Sequence, residues 1–100
     1  MGKRNRNRKG YEFSRRTKHE VYRRDRHKRP EIPPEANMEV DHIVSIRQCR
    51  EVGIPPFIAS SIINAQLLTR KENRTKNGKD ADPDFVIYLL SLATKLPLFD

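Results

Sequence analysis

The stretch NAQLLTRKENRTK, residues 64–76, decides the predicted fold, because it places an apolar strand directly before a well-capped helix. Residues 65–68 favour a strand. Thr69 and Glu72 form a capping-box pattern, in which the side chain of each residue bonds the backbone N–H of the other. We therefore expect a helix that begins at Thr69 and runs through Lys76, where an Asn-Gly dipeptide stops it.

The stretch MEVDHIVSI, residues 38–46, predicts the partner strand, because it is rich in residues that favour β-structure. Residues 47–52 predict a short helix that ends at Gly53 in a left-handed cap. Residues 56–63 form a loop or a short element whose apolar side chains seal the core. The predicted order is therefore strand, long connection, strand and helix.

Helices are also predicted on both flanks of this unit. Ser14 is a candidate N-cap for a charged helix that runs to about Arg24. Residues 83–96 form an apolar helix with a strong start signal, and core packing explains its composition better than a dimer interface. The predicted fold class is α+β, with a small two-strand, one-helix core between a basic N-terminal helix and an apolar C-terminal helix.

Positive charge is concentrated at one end of the chain. Residues 1–29 hold 13 Lys and Arg side chains against three acidic ones, which gives +10, whereas the whole chain of 100 residues carries +8. Such a segment attracts phosphate backbones, although a solvated surface is the alternative. We expect a disordered basic arm over residues 1–12 and a single domain over residues 13–100.

Cysteine content and hydropathy restrict the environment of the protein. The single cysteine, Cys49, allows neither a disulfide nor a cysteine-based zinc site within the chain, which suits a reducing cytoplasm. The N-terminus lacks a secretory signal, and the longest apolar run is too short to span a bilayer. We therefore expect a cytoplasmic protein without a membrane partner.

Five polar residues stand out in this framework, in the order Asp41, His42, Asn64, Asn73 and Lys76. In this order and setting they resemble the HNH motif of the ββα-metal endonucleases. The resemblance covers residues 38–77 and has a weaker counterpart in HEVYRRD, residues 19–25. It implies a ββα-metal core and a metal-dependent endonuclease that hydrolyses DNA phosphodiester bonds.

The resemblance implies a role for each position. His42 is the expected general base for the attacking water, a task that suits a side chain with an ordinary pKa of about 6.5. Asp41 and Asn73 are the expected metal ligands, and an oxygen-only set favours Mg²⁺ or Mn²⁺ over zinc. Asn64 is grouped with the catalytic residues, although in the family it braces the loop between the strands. The expected products carry a 5′-phosphate and a 3′-hydroxyl.

Each of these positions also has an ordinary structural explanation. Asp41 and His42 are adjacent on a strand and so point to opposite faces, which local twisting or a metal at the strand edge must reconcile. Alone, the pair is compatible with a plain strand end, and Asn73 with a solvated helix residue. The occurrence of Asp41, His42 and Asn73 together with Asn64 favours an HNH-type site over these ordinary explanations.

Basic side chains near the motif and on the first helix are candidates for phosphate contacts. Such contacts give affinity but little information about base sequence, and generic surface charge is the alternative. The candidates for nucleic-acid binding are Arg70, Arg74, Lys76, Arg15, Arg16, Arg23 and Arg24.

The chain departs from the family at the approach to the motif, where many members bind a structural zinc through cysteine pairs. Residues 26–39 contain no cysteine, so we expect no structural zinc, and packing of this proline-rich segment must replace it. The helix over residues 83–96 is expected to supply core area. The same helix is also the candidate interface of a homodimer. One active site cuts one strand, so a double-strand break requires either a dimer or two independent nicks.

Two other functions remain open at this point. A non-catalytic nucleic-acid-binding protein on an HNH scaffold would bind without metal-stimulated turnover, and an RNA-directed enzyme would prefer RNA over matched DNA. By family analogy alone, the preferred context is a phage or mobile-element enzyme, associated with the nucleoid of a bacterial or phage-infected cell.

Overall fold

Two antiparallel strands, β1 (Met38–His42) and β2 (Ala65–Thr69), form the sheet of the protein. The structure is a computed structural model that describes residues 9–95, with side chains through residue 94. The helices are α1 (Arg15–Asp25), α2 (Ile46–Val52), α3 (Pro56–Ala59), α4 (Arg70–Lys76) and α5 (Pro83–Lys95), with 3₁₀ turns at Arg26–Lys28 and Ile62–Asn64. The fold class is therefore α+β, as predicted.

β1 is shorter than the predicted strand over residues 38–46, because Ser45 begins a helix. The Ser45 hydroxyl accepts a hydrogen bond from the backbone N–H of Gln48 at 3.1 Å and caps α2. A serine at this position favours a helix start over continued β-pairing. α2 ends at Gly53, whose φ of +89° is the predicted left-handed cap.

The predicted capping box at the start of α4 is confirmed. The Glu72 N–H donates to Thr69 Oγ1 at 3.1 Å, and the Thr69 N–H donates to Glu72 Oε1 at 2.9 Å. Arg29 binds the same carboxylate at 2.7 Å. The hydrogen bonds from Arg29 contribute most, and the capping bond from the Thr69 N–H contributes next, to lowering the pKa of Glu72 to about 2. α4 is thus tied to the segment that precedes β1.

The core consists of two clusters of buried apolar side chains. One lies between α1 and the sheet and contains Phe13, Val21, Met38, Ala65 and Leu67. The other packs beneath α5 and contains Val44, Cys49, Ile54, Ile58, Ala59, Val86 and Leu89. Burial in this second cluster raises the pKa of the Cys49 thiol to about 11. The helix α5 therefore supplies core area beside Val44, which lies in the loop directly after β1.

Some apolar side chains expected in the core are exposed instead. Phe57 and Ile63 are 58% and 43% exposed, so the prediction that they seal the core is wrong. Ile58, the neighbour of Phe57 in α3, is buried. On α5, Ile87 and Tyr88 are exposed. A dimer through residues 83–96 stays a prediction, and residue 96 lies outside the described residues. Among residues 9–95, no helix combines the length and hydrophobicity that crossing a bilayer requires.

Arg24, predicted to bind nucleic acid, is used inside the fold. Its guanidinium donates to the carbonyl oxygens of Ile62 at 2.9 Å and Ala65 at 2.7 Å, and it pairs with Asp25 at 2.6 Å. The Asp25 carboxylate accepts two hydrogen bonds from the Arg24 guanidinium, and this hydrogen bonding lowers the pKa of Asp25. Arg24 thus ties α1 to the start of β2, whereas its binding of nucleic acid stays a prediction.

The proline-rich segment before β1 is held by a second arginine rather than by packing alone. Arg26 donates to the carbonyl oxygens of Arg29 at 2.8 Å, Ile32 at 2.7 Å and Pro33 at 3.0 Å. One guanidinium with its five donors can satisfy several carbonyl groups that irregular backbone leaves unpaired. Hydrogen bonds from Arg26 therefore fix the turn that leads into the sheet.

Candidate active site

A cavity of about 270 Å³ opens where β1 ends, and four of the predicted site residues line it. These residues are Asp41 and His42 at the end of β1, and Asn73 and Lys76 on α4. Three cationic side chains line the same cavity, namely Arg47, Lys76 and Lys79. A general-base candidate, two oxygen donors and positive charge therefore meet in one place.

The position of this cavity resolves the conflict between the opposite directions of Asp41 and His42. His42 is the last residue of β1 and is 8% exposed, whereas Asp41 is half-buried. Because the cavity lies at the end of the strand, side chains from both faces reach it. This is the strand-edge arrangement that the sequence analysis considered.

His42 is held by residues that precede α1. Its Nε2–H donates to the Tyr11 carbonyl at 2.7 Å, and its ring stacks on Phe13 with centroids 4.0 Å apart and planes at 15°. A carbonyl oxygen can only accept, so Nε2 carries the proton. In the neutral ring, the lone pair therefore lies on Nδ1, which is the nitrogen able to take a proton.

The segment over residues 9–12 was predicted to belong to the disordered arm, but it packs against the folded domain. Tyr11 is half-buried against the cluster beneath α5. Gly10 has a φ of +83°, and a Cβ at that position would lie 3.2 Å from the Cβ of Pro56. Gly10 thus lets the chain turn close to α3. The rest of the predicted arm, residues 1–8, lies outside the described residues.

Asp41 is engaged by polar side chains from both neighbouring elements. Lys76 Nζ lies 2.9 Å from Asp41 Oδ2, and Gln66 Nε2 donates to the same oxygen at 3.3 Å. Gln66 is the partner of Asp41 in the register of the sheet. Lys76 was predicted to hold phosphate, but here it pairs with the expected metal ligand.

Asn73 makes a contact with a residue that the sequence analysis missed. Its Nδ2 donates to Glu39 Oε1 at 2.7 Å. The alternation of a strand was the available signal, because Glu39 is two residues before Asp41 and therefore shares its face. Glu39 and Asp41 thus both lie beneath α4, the helix that carries Asn73.

Asn64 is fully buried and braces the loop that follows β1. Its Oδ1 accepts from the Val44 N–H at 2.8 Å, and its Nδ2 donates to the carbonyl oxygens of Val44 at 3.1 Å and Ala59 at 3.0 Å. Its own carbonyl accepts from the Ile43 N–H at 2.9 Å. A side chain with no exposed surface cannot touch a substrate. Its grouping with the catalytic residues is therefore corrected, and Asn64 is a positioning residue.

The remaining basic candidates lie on exposed surfaces around the site. Arg70 and Arg74 line a second cavity of about 270 Å³, beside Asn73. Arg15 lines a groove of about 470 Å³ between α1 and β1, together with Lys18. Arg16 and Arg23 of α1 are exposed, and Arg16 Nε lies 3.8 Å from a carboxylate oxygen of Glu20.

The donor set determines which metal the cavity would suit. The Asp41 carboxylate and the Asn73 amide oxygen are hard donors, and Mg²⁺ is commonly bound by one or two carboxylates and several waters. Within residues 9–95, no group of three or more His, Cys, Asp and Glu side chains is arranged to hold a metal ion. Two oxygen donors beside open space fit a hydrated Mg²⁺ or Mn²⁺ ion.

Comparisons of the chain with protein-family models, curated proteins and solved structures each give no match. The HNH resemblance therefore stays a prediction that depends on the residues named above. Function has to be argued from the chemistry of the cavity.

Proposed function

We propose that the protein is a metal-dependent endonuclease of the HNH type that hydrolyses DNA phosphodiester bonds, with β1, β2 and α4 as its ββα-metal core. One observation carries the proposal. A buried histidine of defined tautomer, two oxygen donors and three cationic side chains line a single cavity. Phosphodiester hydrolysis requires a base for water, charge at the phosphate and stabilisation of the leaving oxygen.

His42 is the general base in this proposal. Its Nε2–H is held by the Tyr11 carbonyl and its ring by Phe13, so the position of Nδ1 is set before substrate arrives. Nδ1 accepts the proton of the attacking water as the oxygen approaches phosphorus. A side chain fixed in this way loses little further freedom in the reaction.

Asp41 and Asn73 would hold the divalent cation through a carboxylate and an amide oxygen. When bound, such a cation stabilises the negative charge that grows on the phosphate and on the leaving 3′ oxygen. Lys76 would then be available to a phosphate oxygen instead of Asp41 Oδ2. The P–O bond to the 3′ oxygen breaks with its electron pair, and that oxygen takes a proton from solvent, so the products carry a 5′-phosphate and a 3′-hydroxyl.

Phosphate groups on either side of the cut are assigned to the basic side chains around the cavity. Arg47 and Lys79 line it directly, while Arg70 and Arg74 line its neighbour. Arg15, Arg16 and Arg23, which are exposed on α1, extend the positive surface. These contacts weaken steeply with salt and select for backbone rather than for sequence.

The test is nicking of supercoiled plasmid with Mg²⁺, with and without EDTA. We expect nicking that EDTA stops, and its loss in His42→Ala and in His42→Gln, which keeps a donor for the Tyr11 carbonyl. Both variants are expected to bind DNA as the wild type does. His27→Ala, in an exposed side chain, is the matched control and is expected to nick normally.

Nicking by His42→Gln at the wild-type rate would rule out the proposed base. DNA binding by the wild type without metal-stimulated nicking would favour the alternative, a non-catalytic nucleic-acid-binding protein. Matched DNA and RNA substrates in the same assay distinguish a DNA enzyme from an RNA enzyme.

A further inference from the structure

Asn73 differs from a carboxylate in the way it can bind a cation. A carboxamide has one oxygen that accepts and one NH₂ group that donates, and rotation by half a turn exchanges them. Only the oxygen can bind a cation. An asparagine ligand therefore needs a neighbour that determines which end faces the metal.

Glu39 has the chemistry to do this. Its Oε1 accepts from Asn73 Nδ2 at 2.7 Å. An ionised carboxylate has acceptors only, so the nitrogen of the amide must face Glu39. The oxygen of Asn73 is then directed away from Glu39. A hydrogen bond to an ionised acceptor is about twice as strong as one between neutral groups, so the orientation is well defined.

The lining of the two cavities separates Glu39 from the proposed cation. Asn73 lines the cavity that contains Asp41 and His42, and it also lines the second cavity with Arg70 and Arg74. Glu39 lines the second cavity but not the first. Glu39 therefore reaches the amide from outside the cavity that would hold the cation.

We propose that Glu39 is a positioning residue that orients the Asn73 amide, so that its oxygen is presented to the divalent cation. The inference rests on the proposed function, because it takes the ligand of Asn73 to be a metal ion. It assigns Glu39 no direct contact with metal or DNA. Partners that orient a metal ligand in this way affect metal affinity by about 10- to 100-fold when removed.

The experiment measures Mn²⁺ binding to the full chain by titration calorimetry and by electron paramagnetic resonance. We expect Glu39→Ala to weaken Mn²⁺ binding by about 10- to 100-fold. Glu39→Gln is expected to bind more tightly than Glu39→Ala but less tightly than the wild type, because its side-chain carbonyl accepts the same hydrogen bond while its NH₂ group no longer excludes the reversed amide. Glu35→Ala, at an exposed acid before β1, is the control for loss of negative charge.

A second measurement follows Asn73 itself, without metal. The side-chain NH₂ resonances of Asn73 are expected to shift and to exchange faster with solvent in Glu39→Ala but not in Glu35→Ala. In an Asn73→Ala background, Glu39→Ala is expected to cause no further loss of Mn²⁺ affinity, because the two residues act as one unit. Thermal unfolding of each variant checks that the fold is retained.

The outcomes separate the inference from the proposed function. If the wild type binds Mn²⁺ and Glu39→Ala binds it equally well, the positioning role is wrong while the metal site stands. If Glu39→Gln is as weak as Glu39→Ala, Glu39 acts through its charge as a ligand, and the inference is overturned. If the wild type binds no Mn²⁺, the proposed function fails and the role of Glu39 fails with it.

Discussion

His42 is fixed by a backbone carbonyl and an aromatic ring, whereas Asp41 and Asn73, in the same cavity, are held by charged and polar side chains. The first set of contacts comes from Tyr11 and Phe13, which precede α1 and lie outside β1, β2 and α4. The second comes from β1, β2 and α4 themselves, through Glu39, Gln66 and Lys76.

The difference indicates which part of the site changes when ligands bind. A buried ring and a carbonyl bond have no reason to rearrange when a cation arrives, so the base is preorganised. Lys76 and Gln66 both bind Asp41 Oδ2, so a cation bound through that oxygen would displace them. Substitutions around His42 are therefore expected to affect the proposed base, and substitutions around Asp41 the proposed metal ligands.

Asn64→Ala is expected to have the largest effect, because the fully buried Asn64 joins the loop after His42 to the start of β2. The substitution leaves the Val44 N–H and the carbonyls of Val44 and Ala59 buried without their partner. We expect a loss of about 3 kcal/mol in the free energy of unfolding, measured with urea. Asn37→Ala, in an exposed residue, is the control, with a change within about 0.5 kcal/mol. Equal stability of the two variants would contradict the bracing role.

Phe13→Leu is expected to affect the proposed base and not the metal ligands, with some loss of packing because Phe13 also belongs to the cluster between α1 and the sheet. Leucine keeps most of the apolar volume but removes the flat surface that stacks on His42. We expect the nicking rate to fall by about tenfold, within the loss that a misplaced catalytic group causes. Mn²⁺ affinity is expected to stay unchanged. Phe57→Leu is the matched control, because Phe57 is exposed, and a similar loss of nicking there would contradict the prediction.

Lys76→Met is expected to affect the metal side alone. Removing the ammonium frees Asp41 Oδ2 from a competitor at 2.9 Å. A partly buried ion pair is worth about 1 kcal/mol, so Mn²⁺ affinity is expected to rise by about fivefold. Nicking is expected to fall, because the phosphate loses a cation. Lys71→Met, an exposed lysine of α4, is the control, and weaker Mn²⁺ binding by Lys76→Met would show that the two cations do not compete.

Acid pH tests the anchor of α4 and is expected to have the smallest effect. Arg29 lowers the pKa of Glu72 to about 2, so the carboxylate is favoured in the folded state. Its contribution to stability is complete above about pH 4.5 and is lost as the pH falls towards 2. Glu72→Gln, which can still form the cap, is expected to lower the urea midpoint at pH 7 and to match the wild type near pH 2. A deficit of the same size at both pH values would contradict the Arg29 pairing.

Local signals predicted much of this arrangement. The capping box at Thr69, the cap at Ser14 and the glycine stop at Gly53 each depend on neighbours within a few residues, and each is present. Asp41, His42 and Asn73 come together because β1 pairs with β2, and α4, which directly follows β2, lies at the same end of the sheet.

Contacts that depend on distant parts of the chain were not predictable in the same way. Nothing in a basic, polar N-terminal segment indicates that Tyr11 and Phe13 contact His42, some 30 residues later. Composition also cannot distinguish Arg24, which binds backbone carbonyls, from Arg23, which is exposed. Glu39 was within reach of sequence reasoning, because strand alternation places it on the face of Asp41.

The contacts of Tyr11 and Phe13 with His42 also bear on how the site can be transferred or divided. A fragment limited to residues 38–77 would contain every residue of the motif. It would lack the ring and the carbonyl that define the tautomer of its base. Grafting those residues onto another protein would carry over the cation donors without a prepared histidine. Residues 38–77 are therefore not expected to work as a portable module, and the smallest active fragment of the proposed nuclease is expected to include the residues that precede α1.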